Sequence, residues 1–152
     1  MTEPALAIPD FLAPEQVVLD LAAPDKASLI AALAQRAAAA AGLAPADVLA
    51  ALQAREALGS TGLGGGFALP HARLPGIAGF TGLFARLPKQ LDFDAIDARP
   101  VDLVFVLLMP AEDRARALAA LAAIARRLRA PGVAAALRGA PSPAAAFAVL
   151  AG

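Results

Sequence analysis

The sequence predicts an α/β layered domain, and three observations carry that prediction. Val101-Asp102-Leu103-Val104-Phe105-Val106-Leu107-Leu108-Met109 is a near-continuous apolar run closed by Pro110, the pattern of a strand buried on both faces. Such a strand requires helices on both sides of its sheet. Segments with helical spacing of apolar residues lie before and after it, alternating with shorter strand candidates. The length, 152 residues, suits one core, so the chain reads as a single domain over 1–152 with residues 1–14 an irregular lead-in.

Taken in order, Val17 to Leu21 is the first short strand candidate. Asp25 stands where a helix N-cap belongs, Leu29, Ile30, Leu33 and Ala37 recur at helical spacing, and Gly42 stops the run. Pro45 suits the first turn of a second helix with Val48, Leu49 and Leu52 on one face and Gly59 at its end. Phe67 to Leu69 and Phe80 to Leu87 read as strands, and Leu91 to Pro100 as a turn-rich connection to the buried strand. Asp113 caps a third helix whose Leu118, Leu121, Ile124 and Leu128 form its core stripe, while Arg114, Arg126, Arg127 and Arg129 face solvent. Pro131-Gly132 ends it. A short helix over Val133 to Leu137 follows, and Ser142-Pro143 starts a last one through Leu150.

Composition excludes several classes of function. The longest strongly apolar run, Leu103 to Ala111, is far below the roughly 20 residues of a membrane helix, so no membrane insertion is expected. Thirteen basic residues balance thirteen acidic ones and aromatics make up only 5%, which leaves neither the field nor the stacking surface of a nucleic-acid binder. With no cysteine and one histidine there is no disulfide framework and no donor set for a metal, and no cofactor is expected. The N-terminus lacks the positive region of a secretory signal, which points to the cytoplasm.

Chemistry is concentrated between Arg55 and Leu74, in R-E-A-L-G-S-T-G-L-G-G-G-F-A-L-P-H-A-R-L, which holds the only histidine. Gly62, Gly64, Gly65 and Gly66 allow backbone amides to converge on an anion, with Ser60 and Thr61 as hydroxyl donors. The loop matches no nucleotide fingerprint, since it lacks the lysine of a P-loop and precedes a strand instead of a helix. On its own it reads more readily as a tight turn between helix and strand than as an anion site. Proline fixes the backbone before His71, and a neutral imidazole at a strand end beside an anion-ready loop is a candidate nucleophile. Arg55, in the last turn of the second helix, reads as a charge complementing the negative end of the helix dipole.

The run from Arg55 to His71, R-E-x-x-G-S-T-G-x-G-x-G-x-A-x-P-H, and the run from Asp92 to Phe105, D-F-D-A-I-D-x-x-P-V-D-L-x-F, strongly resemble the enzyme IIA domains of the bacterial phosphoenolpyruvate phosphotransferase system. The type is the fructose/mannitol one, nearest its nitrogen-regulatory member, and the likeness extends from about Val17 to the C-terminus. It implies an αβα sandwich with a mixed sheet, and a phosphoryl group accepted by His71 from the phosphohistidine of an HPr-like carrier. Arg55 would hold the phosphate, with Ser60, Thr61, Gly64 and Gly66 around it. Downstream regulated proteins, kinases or transporters, are the implied recipients of the signal. A sugar-specific enzyme IIA, or a binding module acting through its unphosphorylated surface, are the alternative readings. The chain departs from the family pattern twice: Gly64-Gly65-Gly66 stands where Gly-Asn-Gly is common, and Ala117 stands where a second histidine precedes the leucine matching Leu118.

Overall fold

The computed structural model describes residues 6–152. The first five residues of the lead-in lie outside that range. From residue 6 on the lead-in is not peripheral, because 3₁₀ turns at Ile8–Asp10 and Pro14–Gln16 fold it so that Ile8, Phe11 and Leu12 enter the core.

The described chain forms a six-stranded mixed sheet in three layers, αβα, as the sequence and the family resemblance led us to expect. The elements in order are β1 (Val17–Val18), α1 (Lys26–Ala41), α2 (Pro45–Ala57), β2 (Gly62–Gly64), β3 (Phe67–Ala68), β4 (His71–Leu74), β5 (Thr81–Leu91), β6 (Val101–Pro110), α3 (Arg114–Arg129), α4 (Val133–Arg138) and α5 (Pro143–Ala151). The strand order is β1-β5-β6-β3-β2, and β4 also pairs with β6, beyond the end of β3. Strands β3 and β4 run parallel to β6 in one continuous register, Phe67 opposite Leu103 and His71 opposite Leu107.

Strand β6 is the buried centre predicted from its run of apolar residues, and its alternate side chains feed two cores. Val104, Val106 and Leu108 pack with α1 and α2. Leu103, Phe105, Leu107 and Met109 pack with α3, α4, α5 and the lead-in. The helix signals act as read: Asp25 accepts from the Ser28 amide at 2.8 Å, Asp113 from Arg116 at 3.1 Å and Ser142 from Ala145 at 3.1 Å. Gly42 closes α1 in the left-handed region at φ 71°.

Four local expectations are corrected. Strand β1 stops at Val18 because Asp20 turns into the left-handed region at φ 61°. Leu118 is not in the core stripe of α3: it is 69% exposed, and Ala117, Ala120, Ile124 and Leu128 form the buried face instead. The helix is rotated so that small residues meet the sheet, which lets the two layers approach closely. Arg127 is half-buried, not solvent-facing, since its guanidinium donates to the Val149 carbonyl near the end of α5. Finally, Gly62–Gly64 and His71–Leu74 are strands; their few residues between glycines and prolines carry too little alternation to be read as such.

Candidate functional site around His71

His71 is the first residue of β4. Because Ala72 and Leu74 enter the core beneath α1 and α2, alternation turns His71 and Arg73 toward the opposite face, where Leu107, the register partner of His71, packs under α3. Arg55 arrives from the other layer, at the C-terminal turn of α2, which packs against β4. The site therefore sits where both helical layers meet the sheet.

The imidazole is held at both nitrogens. Nδ1 lies 2.8 Å from the Leu69 carbonyl, which can only accept, so Nδ1 carries the proton. Arg55 donates its Nε–H to Nε2 at 3.2 Å, so Nε2 presents a lone pair. Arg55 is in turn fixed by Nη1, which donates to the Gly59 carbonyl at 2.9 Å. Burial holds the His71 pKa below its ordinary value; the Leu69 carbonyl opposes this, the positive charges of Arg55 and Arg73 add to it, and Glu56 opposes it. The result is a neutral imidazole of one tautomer with its nucleophilic nitrogen facing a guanidinium.

The remaining predicted residues separate into two groups. Ser60 and Thr61 lie at the His71 end of β2, since the Leu69 amide donates to the Thr61 carbonyl at 2.9 Å. Their hydroxyls are engaged within the protein: Ser60 donates to the Phe93 carbonyl at 2.7 Å and accepts from the Gly62 amide at 3.0 Å, and buried Thr61 donates to Glu56. Gly64 ends β2 and Gly66 lies in the turn between β2 and β3, at the opposite end of the strand segment. Four residues lie between Gly66 and His71, and the five residue-to-residue steps along this extended segment span about 16 Å, so the structure does not bring them together. The turn has its own partners: the Gly65 amide donates to Asp97 at 3.0 Å and the Gly66 carbonyl accepts from Asp102 and Leu103.

Several residues at or near the site were not singled out from sequence. Glu56 accepts from the Thr61 amide and pairs with Lys26 at 3.0 Å, and Lys26 also lies 4.5 Å over the Phe93 ring. Arg73 brings a second guanidinium to the His71 face. Asp102 is bound by both nitrogens of the Arg138 fork at 2.9 Å, beside the glycine turn. A signal existed for two of these: Asp102 is the one charge inside an otherwise apolar run, and Glu56 places a negative charge in the last turn of a helix, where the dipole disfavours it. Among the described residues no cluster of histidine, aspartate and glutamate suited to a metal ion occurs, and no helix is long and apolar enough to cross a membrane.

Comparison with known proteins decides the family. The family model "Phosphoenolpyruvate-dependent sugar phosphotransferase system, EIIA 2" matches residues 10–152. The chain belongs to this enzyme IIA family. It is 47% identical over 104 residues to a nitrogen regulatory protein of Bradyrhizobium diazoefficiens, an alignment covering 68% of each chain. The crystal structure of the nitrogen regulatory protein IIA-Ntr from Neisseria meningitidis superposes with a TM-score of 0.89 at 35% identity, covering 94% of this chain and 98% of that one. IIA mannitol from Escherichia coli shares the fold, with a TM-score of 0.75 at 22% identity over 92% of this chain and 99% of that one.

Proposed function

We propose that this enzyme IIA domain is a phosphocarrier: Nε2 of His71 accepts a phosphoryl group from the phosphohistidine of an HPr-like carrier, in the bacterial cytoplasm, and the phosphorylated state serves regulation. The observation that carries this reading is the pair of hydrogen bonds that leave Nδ1 protonated and Nε2 bare beside Arg55. The Nε2 lone pair attacks phosphorus in line, the donor's P–N bond breaks, and its electron pair returns to the donor imidazole. No proton has to leave Nε2. The positive charge that develops on the ring is met at Nδ1–H by the Leu69 carbonyl. Arg55 passes from the lone pair to a phosphoryl oxygen, where charge stabilisation is the main assistance such a transfer needs. Ser60 and Thr61 contribute by fixing the loop that carries Gly59. The regulatory side of the proposal rests on the nitrogen regulatory relatives; a sugar-specific role would use the same chemistry with a permease subunit as recipient.

The test is incubation with phosphoenolpyruvate, the first enzyme of the system and its HPr-like carrier. One acid-labile phosphoryl group on the wild type and none on His71→Ala, by mass spectrometry, is the expected result, and equal labelling of both overturns it. In the same assay Arg55→Ala loses a charge-assisted hydrogen bond of about 1.5 to 3 kcal/mol. Transfer should slow by about one to two orders of magnitude in a folded protein. A rate within a factor of about two of wild type would return Arg55 to a helix-end charge.

A further inference from the structure

Glu56 is an anomaly that phosphoryl acceptance by His71 does not by itself explain. Its side chain is only 7% exposed, and it lies in the last turn of α2, where the helix dipole disfavours a carboxylate. A buried charge at such a place is seldom the most stable choice for packing. Its contacts all lead to the site. Both carboxylate oxygens accept from the Thr61 amide at 3.2 Å, and Oε1 also accepts from the Thr61 hydroxyl. Oε2 pairs with Lys26 of α1, which is 21% exposed, lies over the Phe93 ring and also pairs with Asp94 at 3.5 Å. Phe93 in turn accepts from Ser60 through its carbonyl. Residues 58–61 are thus clamped from both sides, and that stretch carries the Gly59 carbonyl that orients Arg55.

We propose that Glu56, paired with Lys26, is a positioning residue for phosphoryl transfer: by holding Thr61 it sets the Gly59 carbonyl, and through it the Arg55 guanidinium on Nε2 of His71. The proposal rests on the phosphocarrier reading. Without the clamp the loop retains Ser60 and the strand contacts of Thr61, but Arg55 loses the fixed acceptor that aims it. An ångström of misplacement at a reacting centre can cost about 100-fold in rate.

The experiment uses the full chain and reads two independent quantities. Single-turnover phosphotransfer from the HPr-like carrier, over a range of carrier concentrations, separates rate from apparent affinity. The nitrogen resonances of the sole imidazole, recorded where it is neutral, report the tautomer and the donor at Nε2 without any transfer. Glu56→Ala should slow transfer about 10- to 100-fold at unchanged carrier affinity and shift the Nε2 resonance. Glu56→Gln keeps an acceptor for Thr61 and should lie between that variant and wild type. If Glu56→Ala does not fold, Glu56→Gln and Lys26→Met are judged by the same two readouts. Wild-type rate with unchanged resonances overturns the proposal. Slower transfer with unchanged resonances also overturns it, since Glu56 would then act on folding or docking. A wild type that accepts no phosphoryl group counts against the phosphocarrier reading, and the resonances alone then decide the role of Glu56.

Discussion

The single imidazole makes the chemistry of His71 separable from that of the rest of the chain, because no other side chain changes charge between pH 5 and 8 at its ordinary pKa. Its pKa is lowered from 6.5, chiefly by burial, with Arg55 and Arg73 contributing in the same direction against the Leu69 carbonyl and Glu56. The unfolded chain takes up a proton near 6.5, the folded chain only below that. Between the two values the unfolded state binds more protons, so stability rises with pH through the window and is lost as pH falls through it. Above 6.5 the contribution is complete and flat. Phosphoryl acceptance follows the same group, since a protonated Nε2 has no lone pair to offer. We expect the transfer rate to be level from pH 7 upward and to fall on acidification with a midpoint below 6.5, matched by the imidazole midpoint in an NMR titration. A midpoint at or above 6.5 in either measurement contradicts the buried, guanidinium-facing environment. Much of this was legible in the sequence: Pro70-His71 and Arg55 stand out by residue type. The tautomer was not, because it depends on the Leu69 carbonyl two residues away, in the short link between β3 and β4.

At the scale of elements, the glycine-rich run proves to be a hairpin built for packing. Gly64, Gly65 and Gly66 all have positive φ, at 91°, 65° and 87°, which explains their number better than an anion would. Residues 92–100 form a strap along this hairpin, with Ser60 bonded to the Phe93 carbonyl, the Ile96 amide donating to Gly62 and Asp97 receiving the Gly65 amide. The motif D-F-D-A-I-D thereby acquires a structural meaning that spacing alone did not reveal, since strap and hairpin are joined only by tertiary contacts. Gly62 is tight against the backbone of the strap: a Cβ there would lie 2.7 Å from the Cα and Cβ of Ala95. Gly62→Ala should therefore cost about 1 to 3 kcal/mol by overpacking. Gly65 differs. Its φ of 65° is one that asparagine adopts readily, and a Cβ there meets only the Phe67 ring at 3.4 Å. Gly65→Asn restores the residue common in the family, and we expect stability unchanged or raised by about 0.4 to 1 kcal/mol through the unfolded chain. Denaturant melts of the two variants compare the positions directly, and equal destabilisation would mean that the strap does not set the hairpin's tolerance.

Over the whole molecule, the central sheet and its covering helices were legible because β6 is apolar on both faces and because α1 and α3 each start at a capping aspartate, Asp25 and Asp113, and end at a stop, Gly42 and Pro131-Gly132. What the sequence hid was the rotation of α3. Alanine and leucine are both apolar to a pattern reader, and Leu118 at 69% exposure and Ala117 at 4% exchange the roles that side-chain size suggests. Close approach of α3 to the sheet selects the smaller residue. Ala117 consequently shares a core with Leu107, the strand residue directly opposite His71 in the register. A side chain added at Ala117 extends from α3 toward the face of the sheet on which His71 lies, while Arg55 approaches from the α2 layer. Restoring the family residue with Ala117→His tests whether the two layers converge on one phosphoryl group. Enlarging a buried alanine should cost about 1 to 3 kcal/mol of stability. If the new imidazole reaches the phosphoryl oxygens it supplies a hydrogen bond to an anion, worth about 1.5 to 3 kcal/mol. Exchange with the carrier, or the lifetime of the phosphohistidine, should then rise roughly tenfold or more. Quench-flow transfer and the decay of the phosphorylated protein after donor removal measure the two quantities. A folded variant that shows the stability loss and no change in either would mean that α3 contributes packing to this protein but no group to its phosphoryl site, leaving Arg55 to act from the α2 side alone.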